Sequence, residues 1–214
     1  PVRHGLGQFD AAQEGCHTLI KPRASCATTI SSILAAEKAA AQIAAIADID
    51  RVKVEVYERA KVGMGTGEHH WHPDSRETAD HSIPYVVAAS LIDKRLTPAS
   101  FGDSRRLSDE LRGLLPKVDV VTNDEFSAAY ERVPVEHRTR VTAVLKNGRQ
   151  VIGYAGGDEG DLSQPKSDAQ IEEKFLALTR GSLGDERAQE ALAALWQLDT
   201  MADVAVVPTL VAFA

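Results

Sequence analysis

Cysteine is nearly absent. Only Cys16 and Cys26 occur in 214 residues, too few to staple a domain of this size, and such thiol usage fits a reducing, cytoplasmic setting. Their spacing permits one bridge between them, but a secreted disulfide scaffold is excluded. Positive charge is also in deficit: the formal balance is −7, and no basic stripe with interleaved aromatics exists, so the reading expects no nucleic-acid partner. No apolar run approaches the ~20 residues that span a bilayer, and no signal-peptide pattern opens the sequence, so no membrane association is expected. The initiator Met is missing too. The start, "PVRHGLGQFD", reads as a processed end or as part of something longer.

What is present is ordinary for a globular protein, with 43% hydrophobic and 26% charged residues. That is enough for one good core plus a small appendage. Residues 1–20 lack periodicity and hold Gly5, Gly7 and Gly15, which reads as a connector. "TISSILAAEKAAAQIAAIA", Thr29 to Ala47, predicts an Ala-rich helix. "RVKVEVY" (51–57) alternates strictly, with Val52, Val54 and Val56 facing a core and Lys53, Glu55 and Tyr57 on the polar face. A loop is expected over 62–75. After it Ser82 or Asp80 caps a helix whose first turn takes Pro84, and Val86, Val87, Ser90 and Leu91 form its buried stripe. A helix over about 104–115 stops before Pro116 and "KVDVVT" is a strand. Asn147-Gly148 between two alternating apolar runs marks a β-hairpin. Past the turn-rich "GGDEGDLSQPKSD", segments 167–180, 185–197 and 200–212 read as helical, and the tail is apolar enough to want a partner surface.

The order α-β-α-α-β-β-β followed by a helical tail points to an α+β fold, with helices packed on a mostly antiparallel sheet. Chemistry is less plain. "EHHWH" gathers Glu68, His69, His70 and His72, suitable zinc ligands by type. Yet adjacent histidines point apart in an extended segment, and neither HExxH spacing nor a Cys pair is present, so a solvated His-rich loop is the better reading and no metal is expected. Cys26 lies near a helix start without a visible base, which favours a buried small residue over a nucleophile. "GMGTG" follows a strand but lacks the phosphate-loop Lys-Ser/Thr. Lys21 and Arg23 precede a helix N-terminus, an arrangement equally suited to a polycarboxylate ligand and to a charged connector. In "RETADHSIPY", Glu77 and Asp80 can serve the helix dipole, a role that leaves Arg76 and His81 unexplained.

"HPDSRETADHSIPYVVAASLID", followed by "LTPASF", "LLPKVDVV", "RVTAVLKNGRQ" and "GGDEGDLSQPKSDAQIEEKF", resembles the MmgE/PrpD family of 2-methylcitrate dehydratases and their relatives. The likeness runs from about Lys21 to Phe175 and is to the C-terminal half of the family's chain. It implies that 1–20 connects to an N-terminal helical domain, that 21–160 is an α+β lid, and that 161–214 returns to the helical domain. It also implies a lyase working on a small di- or tricarboxylic acid without metal or organic cofactor. The expected reaction is hydro-lyase chemistry of the 2-methylcitrate, propionate-metabolism type. Decarboxylase or epimerase activity, or a non-catalytic subunit that binds carboxylates or a partner chain, are the alternatives. Association with an N-terminal helical half, or a homodimer, is implied as well.

Residue by residue, the resemblance makes Lys21 a carboxylate contact or proton donor, Tyr57 a catalytic residue at the end of the first lid strand, and His81 a proton shuttle. Arg76 belongs to the same motif as His81 and is expected to bind a substrate carboxylate or to brace the loop, and a structural role is equally open for Arg76 and His81. Arg23, beside Lys21, is expected to bind substrate carboxylate on its charge and position. The family's "KPYPxCxHTH" is altered, however. Arg23 stands at the Tyr, Thr28 at the first His and Ile30 at the second, so a reaction needing that second His is not available here.

Overall fold

The computed structural model describes residues 20–157 and 165–212. The chain divides into two compact units, 1–164 and 165–214. The connector expected over 1–20, save Ile20, lies outside the described residues, as do Cys16 and the stretch 158–164 of the expected turn-rich loop.

The first unit is built on a four-stranded sheet of β1 (Ile49–Val56), β2 (Val118–Thr122), β3 (Thr139–Leu145) and β4 (Gln150–Ala155), in the order β2-β1-β3-β4. Two of its three pairings, β1 with β3 and β3 with β4, are antiparallel, whereas β1 and β2 run parallel. The sheet is therefore mostly antiparallel, as expected. A parallel pair needs a long crossover. Here it contains α2 (Glu58–Met64), α3 (Arg76–Asp80), α4 (Ile83–Asp93), α5 (Asp103–Arg106) and α6 (Asp109–Leu114).

Alternation sets the core. Val120, Val54, Val141 and Gly153 line up across the four strands, and Val118, Val52, Ala143 and Val151 form the next row. All the side chains in these rows are buried. Helix α1 (Ile30–Ala40) packs on β3 and β4, and α4 packs on α1 and β2. The approach of α1 is close because its buried positions include Ala35, Ala36, Ala39 and Ala40 and because Gly153 has no side chain. The other face of the sheet carries Lys53, Glu55 and Arg140, linked through Glu55 at 3.4 Å to each cation. One end of that face is covered by α7 (Asp124–Tyr130), which the sequence reading did not anticipate. Phe126 of α7 is buried beneath the Arg140 guanidinium and beside Tyr154.

Several expectations need correction. The first helix ends at Ala40 rather than Ala47. The segment read as a loop over 62–75 includes the end of α2, a 3-10 turn over Glu68–His70 and the Ser75 cap of α3. The helix expected over 104–115 is two, because Ser108 accepts a hydrogen bond from Leu111 N–H and starts a new one. Ser82, not Asp80, caps α4 by accepting from Tyr85 N–H at 3.1 Å, and Pro84 lies in its first turn.

The second unit holds α8 (Asp168–Leu183), opened by a Ser167–Gln170 capping box, then α9 (Asp185–Trp196) and α10 (Val207–Val211). The final helix is much shorter than the 200–212 expected. Among its described residues this unit buries only Ala188 and Ala191, while Leu178, Trp196, Leu198, Val204 and Val206 are exposed. Two buried alanines do not make a self-sufficient core.

Candidate active site

Of the expected site residues, Lys21 and Arg23 lie in the segment 21–29 before α1, Tyr57 lies beside its Thr28, and His81 follows Asp80, whose carbonyl the segment contacts. Lys21 Nζ donates to the Ser25 carbonyl at 2.7 Å, folding the lysine over its own loop. Ser25 Oγ donates to the Asp80 carbonyl at 2.9 Å, and Cys26 N–H reaches the same oxygen at 3.4 Å. The last carbonyls of a helix lack intrahelical donors, so loop 21–26 supplies them to α3. That contact brings the lysine loop to the end of α3, where Asp80 and His81 lie.

His81 caps α3. Its Nδ1 is 2.9 Å from the Glu77 carbonyl and in contact with Asp80 Oδ1. Its side chain is 55% exposed, against 27% for Asp80. Arg76, one helical turn before Asp80, is exposed and makes no hydrogen bond or ion pair among the described residues. Arg23 is differently placed. Its Nε and one terminal nitrogen donate to the two carboxylate oxygens of Glu37 at 2.7 and 2.6 Å. Glu37 also accepts from Leu96 N–H at 2.8 Å. The guanidinium is thus committed within the fold, in a bidentate geometry that Lys would not reproduce.

Tyr57 is the clearest correction. Alternation put it on the polar face, but it is 1% exposed. The strand ends at Val56, and α7 delivers Tyr130 over it, with ring centroids 4.2 Å apart and planes 8° from parallel. His137 stands edge-on to both rings, at 5.9 and 5.5 Å. Burial, reinforced by the Tyr130 hydroxyl, raises the Tyr57 phenol above its ordinary value, opposed by a hydrogen bond with the Thr28 side chain. Tyr57 therefore keeps its proton, with the Thr28 side chain beside its hydroxyl. Cys26, a free and half-buried thiol, lies near it.

The His-rich stretch is not a solvated loop throughout. In the turn Glu68–His70 the His69 and His70 rings lie 4.0 Å apart rather than pointing away from each other. His70 is buried, and that burial, with His69 second, holds its imidazole below the ordinary value. Its carbonyl accepts from Ser82 Oγ at 2.5 Å, so this stretch fixes the start of α4. Among the described residues no group of three or more His, Cys, Asp or Glu is arranged to hold a metal ion. A cavity of about 890 Å³ lies beside Glu68, Trp71, His72, Arg112, Leu115 and Pro116, away from the residues expected to act.

The sequence reading missed Thr28 as the Tyr57 partner, Tyr130 and His137. Asn123, whose side chain accepts from Phe126 N–H at 3.2 Å, was a legible cap for the helix that delivers Tyr130.

The pattern of the MmgE/PrpD C-terminal domain matches residues 24–199. The chain belongs to the MmgE/PrpD family. Among curated relatives, it is 26% identical over 138 residues to cis-aconitate decarboxylase of Homo sapiens, a match covering 64% of this chain and 28% of that protein. The Mus musculus cis-aconitate decarboxylase is 25% identical over the same shares. This MmgE/PrpD chain thus corresponds to less than a third of the length of either relative. No helix among its described residues is long and apolar enough to cross a membrane.

Proposed function

We propose that this chain is the C-terminal part of a cofactor-independent lyase acting on a small di- or tricarboxylic acid, with dehydration of the 2-methylcitrate type as its reaction. The observation that supports the reading is the docking of the loop that carries Lys21 on the end of α3, through Ser25 and Cys26 against the carbonyl of Asp80, the residue before His81, in a chain of this family. Lys21 offers an ammonium to a substrate carboxylate or to the departing hydroxyl. Arg76, exposed and unengaged among the described residues, offers a second cation. His81 takes the proton on the carbon next to a carboxylate. In the balanced step that C–H bond breaks, its electron pair forms the C=C bond, and hydroxide leaves as water with a proton from Lys21. Because Arg23 is engaged by Glu37, carboxylate binding falls in this proposal to Lys21 and Arg76, and Tyr57 anchors the loop.

The names of the two relatives favour a second reading, decarboxylation of the same class of anion. The exposed apolar side chains of the second unit support association with an N-terminal helical half or a second copy. A cytoplasmic setting belongs to the same proposal. The test is to incubate the chain, alone and mixed with the helical half of a family member, with 2-methylcitrate and with cis-aconitate. Unsaturated-acid absorbance from the first supports the hydro-lyase, and CO₂ release from the second supports the decarboxylase. Silence in every combination refutes catalysis and leaves a carboxylate-binding subunit.

A further inference from the structure

We propose that Asp80 is the positioning residue of His81. The two form a carboxylate–imidazole pair that fixes the proton on Nδ1 and presents Nε2 as the proton-accepting atom. The catalytic meaning of this pair rests on the function proposed above; its geometry does not.

The inference starts from donors and acceptors. Nδ1 of His81 has two oxygens within reach, the Glu77 carbonyl at 2.9 Å and Oδ1 of Asp80. A carbonyl only accepts, and so does a carboxylate oxygen. A bare Nδ1 lone pair would face two lone-pair oxygens and be repelled by both, so Nδ1 carries the hydrogen. Asp80 Oδ1 strengthens the assignment. It is shielded from solvent and accepts no hydrogen bond of ordinary geometry among the described residues; the His81 ring nitrogen in contact with it is the donor placed to turn towards it. With the hydrogen on Nδ1, the neutral ring has its lone pair on Nε2. No described residue hydrogen-bonds that nitrogen, and the side chain is 55% exposed.

Fold and pair are coupled. Asp80 and His81 are adjacent in sequence, and they meet here where the chain leaves a helix. α3 ends at Asp80, with His81 at φ −104° and ψ 19°. The same Asp80 receives Ser25 and Cys26 on its carbonyl, so its backbone is held by the lysine loop while its side chain holds the imidazole. A carboxylate behind an imidazole sets the tautomer and limits ring rotation.

Long-range ¹H–¹⁵N spectra of the ring nitrogens test the pair without needing turnover, with His81 assigned by loss of its signals in His81→Gln. On the neutral ring of the unmodified chain, the expected pattern is a protonated Nδ1 and a bare Nε2. Asp80→Ala keeps the carbonyl that the lysine loop uses and should shift the population toward Nε2–H, with the backbone spectrum otherwise retained. A protonated Nε2 in the unmodified chain overturns the proposal, and so does an unchanged tautomer in Asp80→Ala. Where turnover is established, Asp80→Asn should lower kcat at least tenfold with KM within about twofold; an equal loss confined to KM overturns the positioning role. The spectra stand even if no substrate is turned over, so failure of the pair and failure of the lyase reading are distinguishable.

Discussion

Replacing Gly153 by alanine tests the seating of the first helix on the sheet. A Cβ at this position would lie 1.9 Å from the Ala35 carbonyl oxygen and 2.7 Å from the Ala39 nitrogen, both backbone atoms of α1. Ordinary contact begins at 3.4 Å, so α1 must retreat by 3.4 − 1.9 = 1.5 Å. A helix backbone cannot step aside as a flexible side chain would, and the retreat loosens the buried row Ala35, Ala36, Ala39 and Ala40. Overpacking of this kind costs about 1–3 kcal/mol, and a clash against main chain belongs at the upper end. Alanine returns ~0.5–1 kcal/mol of chain entropy, which the clash outweighs. We expect a net loss of about 2–2.5 kcal/mol, read as a lower urea midpoint at unchanged slope. At ~2–4 °C per kcal/mol this is a fall in Tm of roughly 4–10 °C. Gly63, within α2, is the control: a Cβ there meets nothing within 4 Å, so Gly63→Ala should stabilise by ~0.5–1 kcal/mol. A Gly153→Ala protein with an unshifted or raised midpoint would refute this packing of α1 on β4.

Two further perturbations follow from the same geometry. Glu37→Ala removes the acceptor shared by Arg23 and Leu96 N–H; with side chains 15% and 12% exposed, the loss should be ~2 kcal/mol, below the 3–5 kcal/mol of a fully buried pair, and an unchanged urea midpoint would contradict it. His70 is held below its ordinary 6.5 by burial. The folded state therefore disfavours its proton, and its contribution, present above the ordinary value, is lost as pH falls through the depressed folded value. His70→Gln should flatten the acid limb of stability against pH, and an equally steep limb would count against the assignment.

Much of the scaffold was legible because it is local. The Val52, Val54, Val56 alternation, the Asn147-Gly148 turn with Gly148 at φ +82°, and the Ser82-Pro84 helix entrance each follow from a few neighbouring residues. What failed was set at a distance. Helix propensity continues past Ala40, but Gln42 donates to the Ile152 carbonyl at 2.9 Å and accepts from Arg149 at 2.6 Å. The chain leaves the helix to bond the β4 hairpin, and tertiary contacts override propensity. Tyr57 misled for the same reason: alternation predicts a face, and only the position of α7 decides whether that face meets water. In the candidate site, residue types were readable in "KPR" and "RETADH". That Arg23 turns to Glu37 while Asp80 turns to His81 depends on how the loop and α3 dock, which no spacing encodes.

The most direct test of the carboxylate-site account is a titration with a tricarboxylate such as citrate or cis-aconitate, followed on the His81 ring signals in the unmodified chain and in Lys21→Ala. Losing one charge-assisted contact is worth about 1.5–3 kcal/mol, roughly a ten- to hundredfold weaker Kd. The account predicts saturable His81 shifts that weaken by that factor in Lys21→Ala, whose folded spectrum is otherwise kept. His81 signals that ignore the ligand, or equal affinity in the two proteins, would contradict it.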